Sequence, residues 1–174
     1  MPNKPFYKDA PDYCSPFFDL VETDNLLNEL EKSKILTLEL FSRITPEKEN
    51  FVYAPNKWTT KEIIRHIIDC ERVYTYRAMR FSRFDNTELP GFDENKYIDN
   101  LKPVVMPHLS DLKNEYACVR NSTLALFKTM TNEMLDFKGN ANKVLFTART
   151  LGFMTVGHNL HHCNVIATKY LNRE

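Results

Sequence analysis

Glycine is scarce in this chain, with four among 174 residues. So few flexible turns argue against a turn-rich β sandwich and in favour of helices. Cysteine is sparse too. Positions 14, 70, 118 and 163 show no Cys-x-x-Cys spacing and nothing like the density of a disulfide scaffold. They read as reduced, mostly buried thiols of a cytoplasmic protein. No apolar run approaches the roughly 20 residues that span a bilayer. The opening Met1-Pro2-Asn3-Lys4-Pro5 leads into polar residues with no apolar h-region, so no secretory signal is expected. An excess of one charge is also missing. Lys plus Arg and Asp plus Glu number 23 each, which leaves neither nucleic acid nor an anionic membrane as the main partner.

What is present suits one domain, residues 1–174, long enough to bury something like two thirds of its unfolded surface. Residues 1–20 hold prolines at 2, 5, 11 and 16 among aromatics and read as an irregular arm packed on the body. From about Thr23 to Arg43 the pattern turns helical. Its stripe is Leu27, Leu30, Lys34, Leu38 and Phe41, widened by Leu26, Leu36, Leu40 and Ile44. Thr23 or Asp24 fits as the N-cap, and Pro46 stops the helix.

The second helix has the clearest start. Thr59 and Glu62 match a capping box, with Trp58 and Ile63 placed for a hydrophobic staple, and the helix should run to about Phe81 or Arg83. With His66 set at 0° on a helical wheel, Glu62, Cys70, Val73, Arg77 and Arg80 fall within about 40° of it. Ile64, Ile67 and Ile68 point elsewhere, so this stretch is apolar nearly all round and expected to be buried. A histidine there needs partners.

Residues 84–108, with Pro90, Pro103 and Pro107, form a connection long enough to suggest a function or a cover over something. A third helix starts near Ser110 on the stripe Leu112, Tyr116, Val119, Thr123, Leu126 and Met130. After the Gly139-Asn140 loop, Val144-Leu145-Phe146 reads as a short extended piece, and a fourth helix spans about Ala148 to Tyr170. That helix is apolar on two opposite faces, one for the bundle core and one for a neighbouring helix or subunit. Four amphipathic helices make an all-α four-helix bundle the leading architecture, with connections too long for the simplest up-down-up-down order.

Three of the five histidines fall in Gly157-His158-Asn159-Leu160-His161-His162. On a helix, His158 and His162 share a face, about 5–6 Å apart at Cβ, and can bind one metal. His161 lies about 60° round from His158. The spacing alone equally describes histidines that pack or face water. If His66 faces the same interior, three neutral imidazoles meet. Three protein ligands leave a position for water, as in catalytic sites, whereas structural sites are usually closed by four.

The run from Ala54 to Arg77, Ala-Pro-Asn-Lys-Trp-Thr-Thr-Lys-Glu-Ile-Ile-Arg-His-Ile-Ile-Asp-Cys-Glu-Arg-Val-Tyr-Thr-Tyr-Arg, resembles the second-helix signature of the DinB-like superfamily. The continuation through Arg80, Arg83, Asp85 and Leu89-Pro90-Gly91-Phe92-Asp93 also fits, as does Gly157–His162. The resemblance covers nearly the whole chain from about residue 20. It implies a four-helix bundle holding one divalent metal, zinc or nickel, on His66, His158 and His162. It further implies a small-molecule substrate and the chemistry of that superfamily: metal-dependent hydrolases, and transferases or isomerases using low-molecular-weight thiols, commonly as homodimers. Where many members continue with Arg-Gly-Gln after the last histidine, this chain has Cys163-Asn164-Val165. That departure leaves the substrate open.

Other polar residues have two readings each. Cys70 suits a soft ligand, a reactive thiol or a small buried side chain. Glu62 and Asp69 suit a general base or a histidine-orienting role, but Glu62 has a cap to make and Asp69 has arginines nearby. Arg77 and Arg80 suit a substrate carboxylate or ordinary salt bridges. His161 reads as a bystander and His108 as a loop residue. Two functions stay in view: an enzyme using the metal as Lewis acid or to activate water or a thiol, and a non-catalytic, stress-associated or binding bundle whose metal is structural or absent.

Overall fold

The computed structural model describes residues 10–104 and 106–171. In order they form a 3-10 turn (Asp12–Cys14), α1 (Ser15–Phe18), α2 (Leu26–Ser42), α3 (Pro46–Glu49), α4 (Thr60–Ser82), α5 (Glu94–Leu101), α6 (Leu109–Lys128) and α7 (Asn132–Asp136). Strands β1 (Lys138–Ala141) and β2 (Val144–Thr147), α8 (Ala148–Val165) and a π-helical end (Ile166–Leu171) follow. The long helices α2, α4, α6 and α8 make a four-helix bundle. Both α8 and α6 pack on α2 and on α4. Hence α2 lies diagonally across from α4, and α6 from α8. Two of the three links between long helices must therefore cross the bundle, which is why they carry α3, α7 and the hairpin rather than tight turns. No described helix is long and apolar enough to cross a membrane.

Local chemistry explains the helix starts. The Thr59 hydroxyl accepts from the Glu62 amide at 3.2 Å while the Glu62 carboxylate accepts from the Thr59 amide at 2.6 Å, the expected reciprocal cap of α4. The cap of α2 falls one residue later than expected. Asn25 takes the Asn28 amide at 3.1 Å, and Thr23 instead donates its amide and hydroxyl to Glu29 at 2.9 and 2.8 Å. The buried line of α2 also differs from the expected stripe. It runs through Leu26, Glu29, Leu30, Ser33, Thr37, Leu40 and Phe41, leaving Leu27 and Leu36 exposed.

The physical reason is a polar layer at mid-height. Arg120 of α6, with no exposed surface, donates Nε and Nη2 to the two Glu71 carboxylate oxygens at 2.7 and 2.8 Å. Its Nη1 donates to the Ser33 hydroxyl at 2.6 Å and the Leu30 carbonyl at 3.0 Å. Thr123 donates to Glu71 at 2.8 Å. Asn159 of α8 donates to the Thr37 hydroxyl at 2.7 Å. Hydrophobicity could not reveal a core line built on such partners. Above and below the layer the apolar core divides into two clusters, one around Phe81, Phe127 and Phe153, the other around Phe41, Ile64 and Tyr116.

Three segments carry more structure than their sequences suggested. The part of the expected irregular arm within the described residues, from Ala10, forms the 3-10 turn and α1; residues 1–9 lie outside the described set. The long connection contains α5, and Leu89 pairs with the hairpin through Leu89 N to Asn140 O and Asn142 N to Leu89 O, both 2.9 Å. The extended piece at Val144 is β2, antiparallel to β1 with Ala141 opposite Val144. Asn142 and Lys143 turn the hairpin at φ 54° and 63°, the paired left-handed conformation whose twist matches the strands. The second apolar face of α8 is met within the chain, by α1 and α2.

Replacing Arg120 by methionine leaves Glu71 buried and unpaired. Urea unfolding should show a loss of about 3–5 kcal/mol, partly recovered when Glu71 is also made apolar. The Thr59→Ala variant, which removes a cap, should lose about 1 kcal/mol. An Arg120→Met protein as stable as its parent would contradict the structural role given to the layer.

Candidate metal centre

The packing of α4 on α8 decides where the histidines meet. His66 lies in the second turn of α4, and His158 and His162 follow one another at a helical turn on α8. His66 Nε2 stands 3.0 Å from His158 Nε2 and 3.1 Å from His162 Nε2, and the last two are 3.1 Å apart. A hydrogen bond needs a proton between two nitrogens, and three nitrogens in a triangle cannot all be satisfied by sharing protons among themselves. Burial also opposes extra protons. It pushes His66 down from 6.5 to about 4, helped by repulsion from His161. His162 falls to about 3 through burial and its neighbours His66 and His161. His158 is held well below the usual range by burial first and the other histidines second. Three neutral imidazoles therefore bring their Nε2 atoms to one place, and in the tautomer with the proton on Nδ1, nitrogens spaced this way can all lie about 2.0–2.1 Å from a single ion. The donor set fits a divalent metal.

Side chains around the triad fix it. The Trp58 ring centroid is 4.8 Å from that of His66, and Tyr74 meets His158 edge-on at 5.7 Å. Phe17 of α1 approaches His158 at 5.8 Å and His161 at 5.4 Å. Glycine at 157 permits this approach, since a Cβ there would stand 2.3 Å from the Phe17 carbonyl oxygen. Cys70 lies beside His66, its Sγ 3.6 Å from Nδ1 and 3.9 Å from Nε2. His66, Cys70 and His158 form a buried group that could hold a metal ion. Burial pushes the Cys70 thiol up to about 12, with the Glu94 charge adding, so without a metal it stays protonated.

The triad opens on a cavity of about 460 Å³. One wall comes from α4 and α8, the other from Gly91, Phe92, Glu94 and Asn95 of the long connection and Val144 and Phe146 of the hairpin. This volume suits a small molecule.

A model of the DinB superfamily matches residues 29–166. The chain belongs to the DinB superfamily. Among solved structures, YfiT from Bacillus subtilis superposes with a TM-score of 0.72 at 18% identity, covering 83% of each chain. That protein is described as a probable metal-dependent hydrolase with an unusual four-helix bundle topology. The DinB-like protein YjoA from the same organism gives a TM-score of 0.61 at 16% identity, over 83% of this chain and 89% of the other. A search of curated proteins finds no match.

In this DinB-superfamily chain the remaining sequence candidates separate cleanly. Glu62 is used by its cap. Asp69 sits between Arg65 and Arg72 at 3.8 and 3.7 Å. Arg80 is held by Asp85 and by the Tyr76 hydroxyl. Arg77 and Cys70 line the cavity, whereas exposed His108 caps α6 outside it. His161 touches the cavity rim but stays exposed and outside the triad. Sequence reasoning gave no role to Glu94, Phe92 or Phe17. The Leu89-Pro90-Gly91-Phe92-Asp93 run flagged the neighbourhood of the first two; nothing local flagged Phe17.

The depressed histidines make metal-free protein acid-sensitive. Unfolded histidines bind protons near 6.5, while the folded ones stay neutral to about 4 or lower. Between those values the unfolded state holds more protons, so stability is complete above about 6.5 and falls as pH drops below it. The slope should reach about 1.4 kcal/mol per pH unit for each histidine. Urea midpoints in chelator from pH 7.5 to 4.5 measure it. A His158→Gln variant with the same slope as wild type would refute this account.

Proposed function

We propose that His66, His158 and His162 bind one divalent metal and that the chain is a metal-dependent enzyme acting on a small molecule in the adjoining cavity. The convergence of the Nε2 atoms of three neutral imidazoles carries this reading. An all-imidazole donor set suits zinc or nickel. When bound, such an ion supplies Lewis acidity and an acidified water, or an activated thiol where a low-molecular-weight thiol is the second substrate. The chain's own residues supply the rest. Trp58, Phe17 and Tyr74 pack about the histidines and exclude bulk water. Glu94, the one carboxylate among the described lining residues, is placed to accept a proton on the cavity side. Hydrolysis is the reaction class this arrangement suits best, in line with the description of YfiT.

Metal analysis tests the site directly. Wild-type protein should carry about one divalent ion per chain and cleave an activated ester such as 4-nitrophenyl acetate. Both properties should disappear in His66→Ala and His158→Ala and on chelation, and the activity should return with added zinc or nickel. Uptake that the histidine variants leave untouched would sink the assignment.

One observation favours a second reading. Cys70 Sγ at 3.9 Å from His66 Nε2 is near enough to become a fourth ligand after a small side-chain rotation. Four protein ligands would close the site and make the metal structural. Cobalt substitution separates the two. A thiolate-to-cobalt absorption lost in Cys70→Ser, with a large drop in melting temperature on chelation, supports the closed site. Its absence leaves the open, catalytic one.

A further inference from the structure

The arginines of α4 differ in how their charge is met. Arg65 forms a two-pronged bond to Glu115 at 2.7 and 2.8 Å, and Arg72 reaches the same carboxylate at 2.6 Å. Arg80 holds Asp85. Arg77 is 6% exposed and has no carboxylate within ion-pair distance among the described residues. Its one hydrogen bond among the described residues runs from Nη2 to the Pro90 carbonyl at 2.8 Å, and its guanidinium carbon lies 5.4 Å from the Phe92 ring centroid. Burial lowers its pKa from the ordinary value, but a guanidinium remains protonated. A buried cation without a counter-charge is unfavourable and is retained where something brings the charge to it.

Arg77 lines the cavity with donors to spare. A guanidinium has five N–H groups, and Pro90 takes one. Whichever Nη2 proton is taken, one complete edge of two parallel N–H bonds stays free. Nε and Nη1 are absent from the polar atoms sealed off without a partner, and Arg77 is the one Lys or Arg among the described lining residues. Two parallel donors on a planar group match the two oxygens of a carboxylate. Phe92, Phe146 and Met154 line the same cavity. Eleven residues of α4 separate His66 from Arg77, about 16 Å of helix, and helical side chains lean toward the N-terminus, the direction in which His66 lies.

We propose that Arg77 recognises a carboxylate on the substrate, which presents its opposite end to the three histidines and rests its apolar middle on Phe92, Phe146 and Met154. The substrate class is thus a small organic acid with an aromatic or aliphatic body. This rests on the reading of the cavity as the substrate site, but not on the identity or presence of the metal.

Phenylacetate and its neutral isostere phenylacetamide test it, by calorimetry on chelator-treated and zinc-loaded protein. The chelator-treated arm removes direct binding of the carboxylate to a metal. In it, wild type should bind phenylacetate at least tenfold tighter than the amide. Arg77→Lys should keep part of that preference and Arg77→Met none, with zinc uptake and the helical circular dichroism retained in both. Equal binding of the two probes to wild type, binding of neither, or an acid preference that survives in Arg77→Met overturns the proposal. So does an equal loss of both probes in Arg77→Met with a lowered melting temperature, which would make Arg77 only a strut for Pro90. Failure of the three-histidine site looks different: no zinc uptake by wild type, with the acid preference of chelator-treated protein intact.

Discussion

A guanidinium with no exposed surface dictates much of this molecule. Arg120 must have its donors met, and it meets them on Glu71 of α4 and on Ser33 and the Leu30 carbonyl of α2. That fixes the heights of three helices relative to one another. The Asn159 bond to Thr37 ties α8 to the same level. Glu71 lies five residues after His66, and Asn159 is next to His158, so setting the layer sets the heights of the histidines. Apolar packing alone allows helices to slide by a ridge; directed bonds to a buried charge do not.

The sequence made the four long helices legible because their signals are local. A capping box, a helical apolar period and a proline stop each lie within one or two turns, and the ends of α4 and α8's start fall where those signals put them. The face of α2 was misjudged for a different reason. Its buried line includes Glu29, Ser33 and Thr37, and their partners Thr23, Arg120 and Asn159 reach them mostly from distant parts of the chain. No one-dimensional pattern displays such a pairing.

The site divides in the same way. His158 and His162 could be paired from helical spacing, and His66 joined them through the resemblance of its surrounding run to the DinB-like signature. The far wall of the cavity could not be read in this manner. Glu94 and Phe92 reach it where Leu89 pairs with the hairpin and Arg77 holds the Pro90 carbonyl, and Phe17 reaches it because Gly157 has no side chain to keep it away. These are contacts between segments with no periodicity of their own.

The attachment of Leu89 to the hairpin has a consequence for how such a molecule can change over evolutionary time. The histidines stand on helices locked by a buried charge, where almost any substitution is expensive. The opposing wall is joined to them through two backbone hydrogen bonds at Leu89, the Arg77 bond to the Pro90 carbonyl and the packing of Phe92 on Tyr74 and Arg77. Side chains such as Glu94 and Asn95 lie outside the buried core and can be exchanged with little disturbance to the bundle, whereas Ala141 and Phe146 of the hairpin are part of that core. A lineage could retain the histidine-bearing half as a fixed instrument and vary the side chains that face it, altering what the cavity admits without reopening the question of how the chain folds.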